Sequence, residues 1–107
     1  MNGVAGALSS AGALAHAAQL VANAASSAAI SMEGATINMS NGYPLATTAD
    51  IGTAANISSD YVMNAGGGVL TVTPDAGHPS CSVTYTAATA TNPPAISKAG
   101  VVDANCS

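Results

Sequence analysis

The first third of the chain has the spacing of apolar and polar side chains that an amphipathic helix requires. Residues 3–32 contain no Pro and no charged side chain, and Ala, the best helix former, recurs throughout. One side of a helical wheel is apolar: Leu14, Ala18, Val21, Ala25 and Met32. The other side is polar: His16, Gln19, Asn23, Ser26 and Ser27. The pattern predicts one helix over 3–32, ended by Gly34, with Leu14, Val21 and Met32 packed on a sheet and His16 in solvent.

Beyond Gly34 the pattern changes to short runs of strand-forming residues separated by turns. Ala35–Met39 predicts a short strand, and the Ser, Asn, Gly, Tyr and Pro at 40–44 predict a turn. Thr48–Ile51 predicts the start of one short helix with a Thr as its N-cap.

Three runs in the second half of the chain predict strands: Asp60–Asn64, Val69–Thr73 and Ser82–Ala87. Gly66-Gly67-Gly68 joins the first two runs, and residues 74–79, with two Pro and one Gly, join the last two. Such connections predict an antiparallel meander. Residues 89–107 then predict a Pro-containing loop that is closed by Cys106.

The two cysteines, Cys81 and Cys106, lie before the last predicted strand and beside the last residue given. An even number of cysteines in a chain of extracellular composition favours a disulfide, with two free buried thiols as the alternative. Closing a loop of about 25 residues stabilises a fold by roughly 3 kcal/mol in the chain-entropy model.

Together these elements predict a single α+β domain, in which a long N-terminal helix packs on a small antiparallel sheet. We assign residues 1–33 to the helix and residues 34–59 to a connecting region. The meander is assigned to 60–87, and the disulfide-bounded region to 81–106.

The composition narrows the possible functions. Lys+Arg is 1 and the net charge is −4, so the chain cannot neutralise phosphates, and nucleic-acid binding and a polybasic membrane-surface patch are excluded. Of the 107 residues, 25 are Ala and only 18 are Leu, Ile or Val, so the core is thin and a disulfide is useful. We expect no membrane-spanning segment, because we find no apolar run of about 18 residues.

Few residues are candidates for catalysis. His78 lies near Asp75, with Ser80 and Ser82 close by, which is the residue set of a hydrolase triad. We favour a simple turn, because a triad depends on geometry that closeness in sequence does not supply. The carboxylates are scattered, the triglycine run lacks phosphate-loop spacing, and two Cys and two His are too few for common metal motifs. We therefore predict no catalytic residue, cofactor or metal.

Several stretches resemble the mannose-sensitive haemagglutinin pilins, a family of type IV pilins. Ala28–Gly34, Thr36–Met39 and Asn41–Pro44 look like the exit of the pilin helix and the first loop. His78–Thr86 resembles the cysteine strand, and the Ala-Thr-Ala-Thr-Asn-Pro-Pro run with Val101–Cys106 resembles the disulfide-bounded terminal region. The resemblance covers most of residues 25–107.

The resemblance implies a pilin fold, with 1–33 as the C-terminal half of the pilin helix and 34–59 as the loop between helix and sheet. It implies a structural subunit, not an enzyme, of a bacterial type IV pilus that serves adhesion or motility. The implied partners are other pilin subunits in a homopolymer, the inner-membrane assembly machinery and, for the full-length precursor, prepilin peptidase. The implied location is the cell surface, reached through the inner membrane and periplasm.

In that family an apolar helix of about 25 residues precedes the region matched here. Without it, we expect these residues to be soluble and at most weakly dimeric. Two alternatives remain open. The chain is a minor pilin or a type II secretion pseudopilin of the same fold, or a secreted glycan-binding module with Tyr43, Tyr61 and Tyr85 facing a sugar.

Overall fold

The computed structural model describes residues 2–32, 34–57 and 59–107. It is an α+β fold, as predicted: an N-terminal helix α1 lies against antiparallel strands. The elements follow in the order α1 (Asn2–Val21), β1 (Ile30–Met32), β2 (Ala35–Ile37), β3 (Met39–Ser40), β4 (Tyr43–Pro44), a short π-helical turn (Thr48–Gly52), β5 (Val62–Gly66), β6 (Val69–Thr73), β7 (Val83–Thr86), β8 (Ala95–Ser97) and α2 (Asp103–Cys106).

The helix is shorter than predicted, because it ends at Val21 and not at Gly34. Asn23 adopts the left-handed conformation, with φ of 53°. The Asn23 N–H donates to the carbonyl of Leu20, and the Ala24 N–H donates to that of Gln19. These two bonds form a Schellman motif with Asn, rather than Gly, as the left-handed residue. The prediction of a helix through residue 32 is therefore wrong; Met1 and Glu33, also assigned to it, lie outside the described residues.

Residues after the helix turn back and form a hairpin instead. Strand β1 pairs with β2 in antiparallel register, with Ile30 opposite Ile37. Gly34, predicted as the helix terminator, lies between the two strands with φ of 83°. The predicted strand Ala35–Met39 is divided between β2 and β3, and β3 forms a second hairpin with β4.

The helix packs on the sheet through a different stripe from the one predicted. Its buried apolar residues are Val4, Leu8, Ala11 and Ala15, spaced three or four residues apart. Leu14 and Val21 are 62% and 89% exposed, so the prediction that they pack on the sheet is wrong. Side chains one residue apart point about 100° apart on a helix, which turns Leu14 away when Ala15 is buried. Met32 lies in β1 and packs against Ala15, Ile37 and Met39.

The predicted meander is confirmed and is extended by one strand. The four-stranded sheet has the order β5-β6-β7-β8, and every neighbouring pair is antiparallel. Gly67 and Gly68 both have positive φ, 61° and 79°, which is the two-residue turn that matches strand twist. Strand β8 lies within the stretch 89–107 that the sequence predicts as a Pro-containing loop; it has three residues and follows Pro93 and Pro94.

The main core lies between α1 and the sheet. Leu8 of the helix meets Leu70, Val72, Val83 and Tyr85 of β6 and β7 in one buried cluster. The hydroxyl of Tyr85 donates to the carbonyl of Pro44 at 2.8 Å. Burial, together with nearby Tyr43, raises the pKa of Tyr85 well above its usual value. The buried hydroxyl is therefore paired, which spares the cost of an unsatisfied polar group.

The predicted disulfide between Cys81 and Cys106 is confirmed, with the two Cα atoms 5.0 Å apart. It ties α2 to the start of β7. Gly100 lies so close to this region that an added Cβ would be 2.6 Å from the carbonyl oxygen of Ser80. The disulfide and this close backbone approach thus add to the pairing of β8 with β7 in holding the terminal region.

One helix, over Gly3–Val21, is long and apolar enough to cross a membrane by length and composition alone, which corrects the expectation of no such segment. Leu, Val and Ala supply that apolar character, interrupted by Gly, Ser, His and Gln. In this fold 39% of the most apolar 18-residue stretch of that helix is buried inside the protein. A core helix of a globular domain passes the same test.

Candidate functional site

The helix has a second apolar face, opposite the one that packs on the sheet. Three of the four exposed large hydrophobic side chains found among the described residues, Leu14, Leu20 and Val21, lie on it. Exposed Ala13 and Ala17 lie between them on the same side. We call Ala13, Leu14, Ala17, Leu20 and Val21 the outer face of α1. Its mixture of bulky and methyl side chains, without charge, suits close contact with another apolar surface.

A surface cavity of about 330 Å³ borders this outer face. It is lined by Leu14, Met32, Ala35, Thr53, Ala54 and Asn56. Leu14 and Met32, two of the three residues predicted to pack on the sheet, both line this cavity, and Met32 also packs against the second core cluster. The third, Val21, lies on the outer face nearly fully exposed.

His16 is not solvated, contrary to expectation. Its Nδ1 lies 2.6 Å from the carbonyl oxygen of Gly42, and its ring stacks on that of Tyr43. Gly42 has φ of 84°, and an added Cβ there would be 3.0 Å from His16 Nδ1. The histidine thus fastens the β3–β4 hairpin to the helix. The Asn-Gly pair at 41–42 favours a tight hairpin turn, but nothing in the sequence indicates that His16 contacts it.

Gln19 has a similar structural role that the sequence analysis did not assign. It is buried on the core side of the helix, and its Nε2 donates to the carbonyls of Ser26 and Ala28. These bonds hold the chain where it reverses from the helix toward β1.

Asp50 is a buried carboxylate whose oxygens are both satisfied. Oδ1 accepts from the backbone N–H of Asn38, and Oδ2 accepts from the hydroxyl of Thr47, both at 2.8 Å. Thr47 also caps the π-helical turn by accepting from the Asp50 N–H. The predicted short helix with a Thr N-cap is therefore confirmed, and Asp50 links it to the strands before it.

His78 and Asp75 do meet, with Nδ1 2.8 Å from Oδ1. The second ring nitrogen, Nε2, lies 3.0 Å from the backbone oxygen of Ser107 and not against a serine hydroxyl. The hydrogen bond to Asp75 raises the pKa of His78, helped by the Ser107 oxygen. The same bond lowers the pKa of Asp75. Both ring nitrogens thus face acceptors, an arrangement that suits a charged imidazolium as a fastening and leaves no free nitrogen as a base.

No group of three or more His, Cys, Asp or Glu that could hold a metal ion occurs within residues 2–32, 34–57 and 59–107. The tyrosines predicted as a possible sugar platform are dispersed. Tyr85 is buried and one face of Tyr43 is covered by His16, while Tyr61 packs at the edge of the core.

No family model, characterised protein or solved structure matches this chain significantly.

Proposed function

We propose that this chain is a structural subunit of a bacterial type IV pilus, of the kind that its sequence resembles, and that it acts by assembly rather than catalysis. One observation carries the proposal most. The N-terminal helix packs one side on a disulfide-tied antiparallel sheet and leaves the opposite side of its C-terminal half, the outer face of α1, apolar and exposed. The outer face of α1 would meet neighbouring subunits.

The chemistry of that face supports the role. Leu20 is 64% exposed and Val21 is 89% exposed, and no charged residue lies in Asn2–Val21. Burying such side chains between subunits contributes roughly 25 cal/mol per Å² of apolar area removed from water. The partners proposed are other copies of the chain, with the assembly machinery and prepilin peptidase acting on a precursor. The proposed location is the cell surface.

A major, minor or pseudopilin role would use the same outer face. The glycan-binding alternative has weaker support, because stacking on a sugar needs an open aromatic face and the ring of Tyr85 is fully buried.

Filament yield in the producing bacterium tests the proposal. A Val21→Asp variant places a charge on the outer face of α1 without touching the core. It should therefore fold and reach the same cellular level as the wild-type chain. It should, however, be lost from the fraction of filaments sheared from the cell surface. Val102→Asp is the matched control: Val102 is 49% exposed, is not part of the outer face of α1 and is the N-cap residue of α2, where Asp is favoured. Equal filament incorporation of the two variants would reject the role of this face.

A further inference from the structure

The two edges of the four-stranded sheet are protected very unequally. At the β8 edge, Pro93 and Pro94 precede the strand, Lys98 follows it, and α1 packs beside it. These are devices by which proteins prevent an edge strand from pairing with another chain. The other edge strand, β5 (Val62–Gly66), contains neither Pro nor charge.

The register shows which backbone groups of β5 face outward. The Ala87 N–H donates to the Gly68 carbonyl, so residues 68, 70 and 72 bond toward β7. In antiparallel pairing the direction alternates, so Val69, Thr71 and Thr73 bond toward β5, opposite Gly66, Asn64 and Val62. The N–H and C=O groups of Met63 and Ala65 therefore point away from the sheet.

These outward groups have room for a partner. The π-helical turn packs beside Met63, where Gly52 approaches its sulfur, but Asn64, Ala65 and Gly66 are exposed. Across the described part of the chain, no hydrogen bond reaches the outward groups of Met63 or Ala65. An apolar cavity of about 380 Å³, lined partly by Ala65–Gly68 and Leu45–Thr47, lies beside this edge.

We propose that β5 of one copy pairs with β5 of a second copy, antiparallel, with the two-fold axis at Asn64. Met63 of each copy then lies opposite Ala65 of the other, and their outward groups form four backbone hydrogen bonds. Asn64 faces Asn64 of the second copy in a pair without backbone bonds, where Cα atoms approach to about 4.5 Å. This pairing does not depend on the pilin proposal.

The distribution of charge favours a second copy as the occupant. The charged residue nearest to β5 in the sequence, Asp60, precedes the strand and in this pairing falls opposite Gly68 of the other copy. The two Asp60 residues thus lie at opposite ends of the ribbon, about 27 Å apart at 3.4 Å per residue. Although each chain has a net charge of −4, strand β5 itself carries no charge. Two copies can therefore pair along β5 without placing like charges opposite each other.

The interface is small. Five paired residues on each strand bury less accessible surface than a stable complex, which buries about 1,200 to 2,000 Å². We therefore expect a dimer with a dissociation constant of about 1 mM or tighter, visible by sedimentation equilibrium of the folded chain.

Charge reversal at the two-fold axis is the test. Asn64→Lys and Asn64→Asp should each weaken dimerisation about tenfold, because like charges then face each other, and an equimolar mixture should restore it. Asn92→Lys and Asn92→Asp, at an exposed turn elsewhere, are the controls and should leave the dissociation constant unchanged. A chain that stays monomeric at about 1 mM, or a mixture that does no better than either variant alone, overturns the proposal.

Cysteine cross-linking tests the register independently. Asn64→Cys should form an intermolecular disulfide under mild oxidation, because the two Cα atoms fall within bridging distance. Gly66→Cys should not, since the register puts the two copies of residue 66 four positions apart, about 14 Å. Equal cross-linking of the two variants contradicts the register.

Discussion

The imidazole ring of His16 in α1 lies nearly parallel to the phenol ring of Tyr43 in β4, with centroids 4.3 Å apart and planes inclined by 11°. This stack joins the helix to the β3–β4 hairpin, 27 residues further along the chain. The bond from His16 to the Gly42 carbonyl lies beside it. One side chain thus makes two contacts with the hairpin, beside the bond from the Tyr85 hydroxyl to the Pro44 carbonyl.

A double-mutant cycle on this pair should show coupling. We expect His16→Ala and Tyr43→Leu each to lower the free energy of unfolding by about 1 kcal/mol, and the pair to couple by about 0.5 to 1 kcal/mol. His16→Phe keeps a ring but loses the bond to Gly42, and so separates the two contributions. Urea denaturation measures the four proteins of the cycle and the His16→Phe variant, and additive effects of the single changes would show that the rings do not stabilise each other.

The disulfide should account for the order of the terminal region. Replacing both Cys81 and Cys106 by Ser should cost roughly 3 kcal/mol and speed amide exchange in β8 and α2 before other strands. The wild-type chain, denatured without reductant, should titrate no free thiol. Two thiols per chain, or unchanged exchange in β8 of the double variant, would contradict this account.

Stability should depend on pH through the His78–Asp75 pair. The pKa of His78 is raised above 6.5, so its contribution is complete below 6.5 and is lost as pH rises through the higher folded value. The pKa of Asp75 is lowered below 3.8, so its contribution is complete above 3.8 and is lost as pH falls through the lower folded value. The pair should therefore stabilise most between about pH 4 and 6.5.

Thermal denaturation from pH 3 to 9 checks this dependence. His78→Gln keeps a polar side chain but cannot titrate, so it should flatten the decline in melting temperature above about pH 6.5. An identical decline in the variant would assign the dependence to other groups.

Gly100 should not tolerate a side chain. An added Cβ would meet backbone oxygens of Ser80 and Ser82 at 2.6 and 3.0 Å, so Gly100→Ala should destabilise by about 1 to 3 kcal/mol. Gly6→Ala is the contrasting control: nothing lies within 4 Å of an added Cβ in that exposed helical position, and Ala should stabilise by about 0.5 to 1 kcal/mol. Chemical denaturation of both variants gives the comparison, and equal effects would refute the close approach.

The sequence predicted the features that depend on local chemistry. The alternation of side chains and the glycines predicted the meander, a Thr near the start of the short helix predicted its N-cap, and the even cysteine count favoured the disulfide. The predicted helix is too long because Asn23, rather than the more usual Gly, adopts the left-handed conformation that ends it. Ala on every side of the helix hides which face is buried. For that second reason Leu14 and Val21 were predicted to pack on the sheet.

The roles of Gln19, Asp50 and His16 were beyond reach of the sequence. Each depends on a carbonyl or N–H that is brought close only by tertiary folding: Ser26 and Ala28 for Gln19, Asn38 for Asp50, Gly42 for His16. A polar residue on a helical wheel is normally assigned to solvent, whereas here Gln19 is buried and satisfied.

The central claim is that the chain is a filament subunit, and the surface filaments of the producing bacterium test it most directly. Filaments sheared from those cells should be decorated along their length by gold-labelled antibody raised against residues 1–107, and mass spectrometry should find the chain in the same fraction. Unlabelled filaments, with the protein recovered only as a free species from the medium or periplasm, would contradict the account.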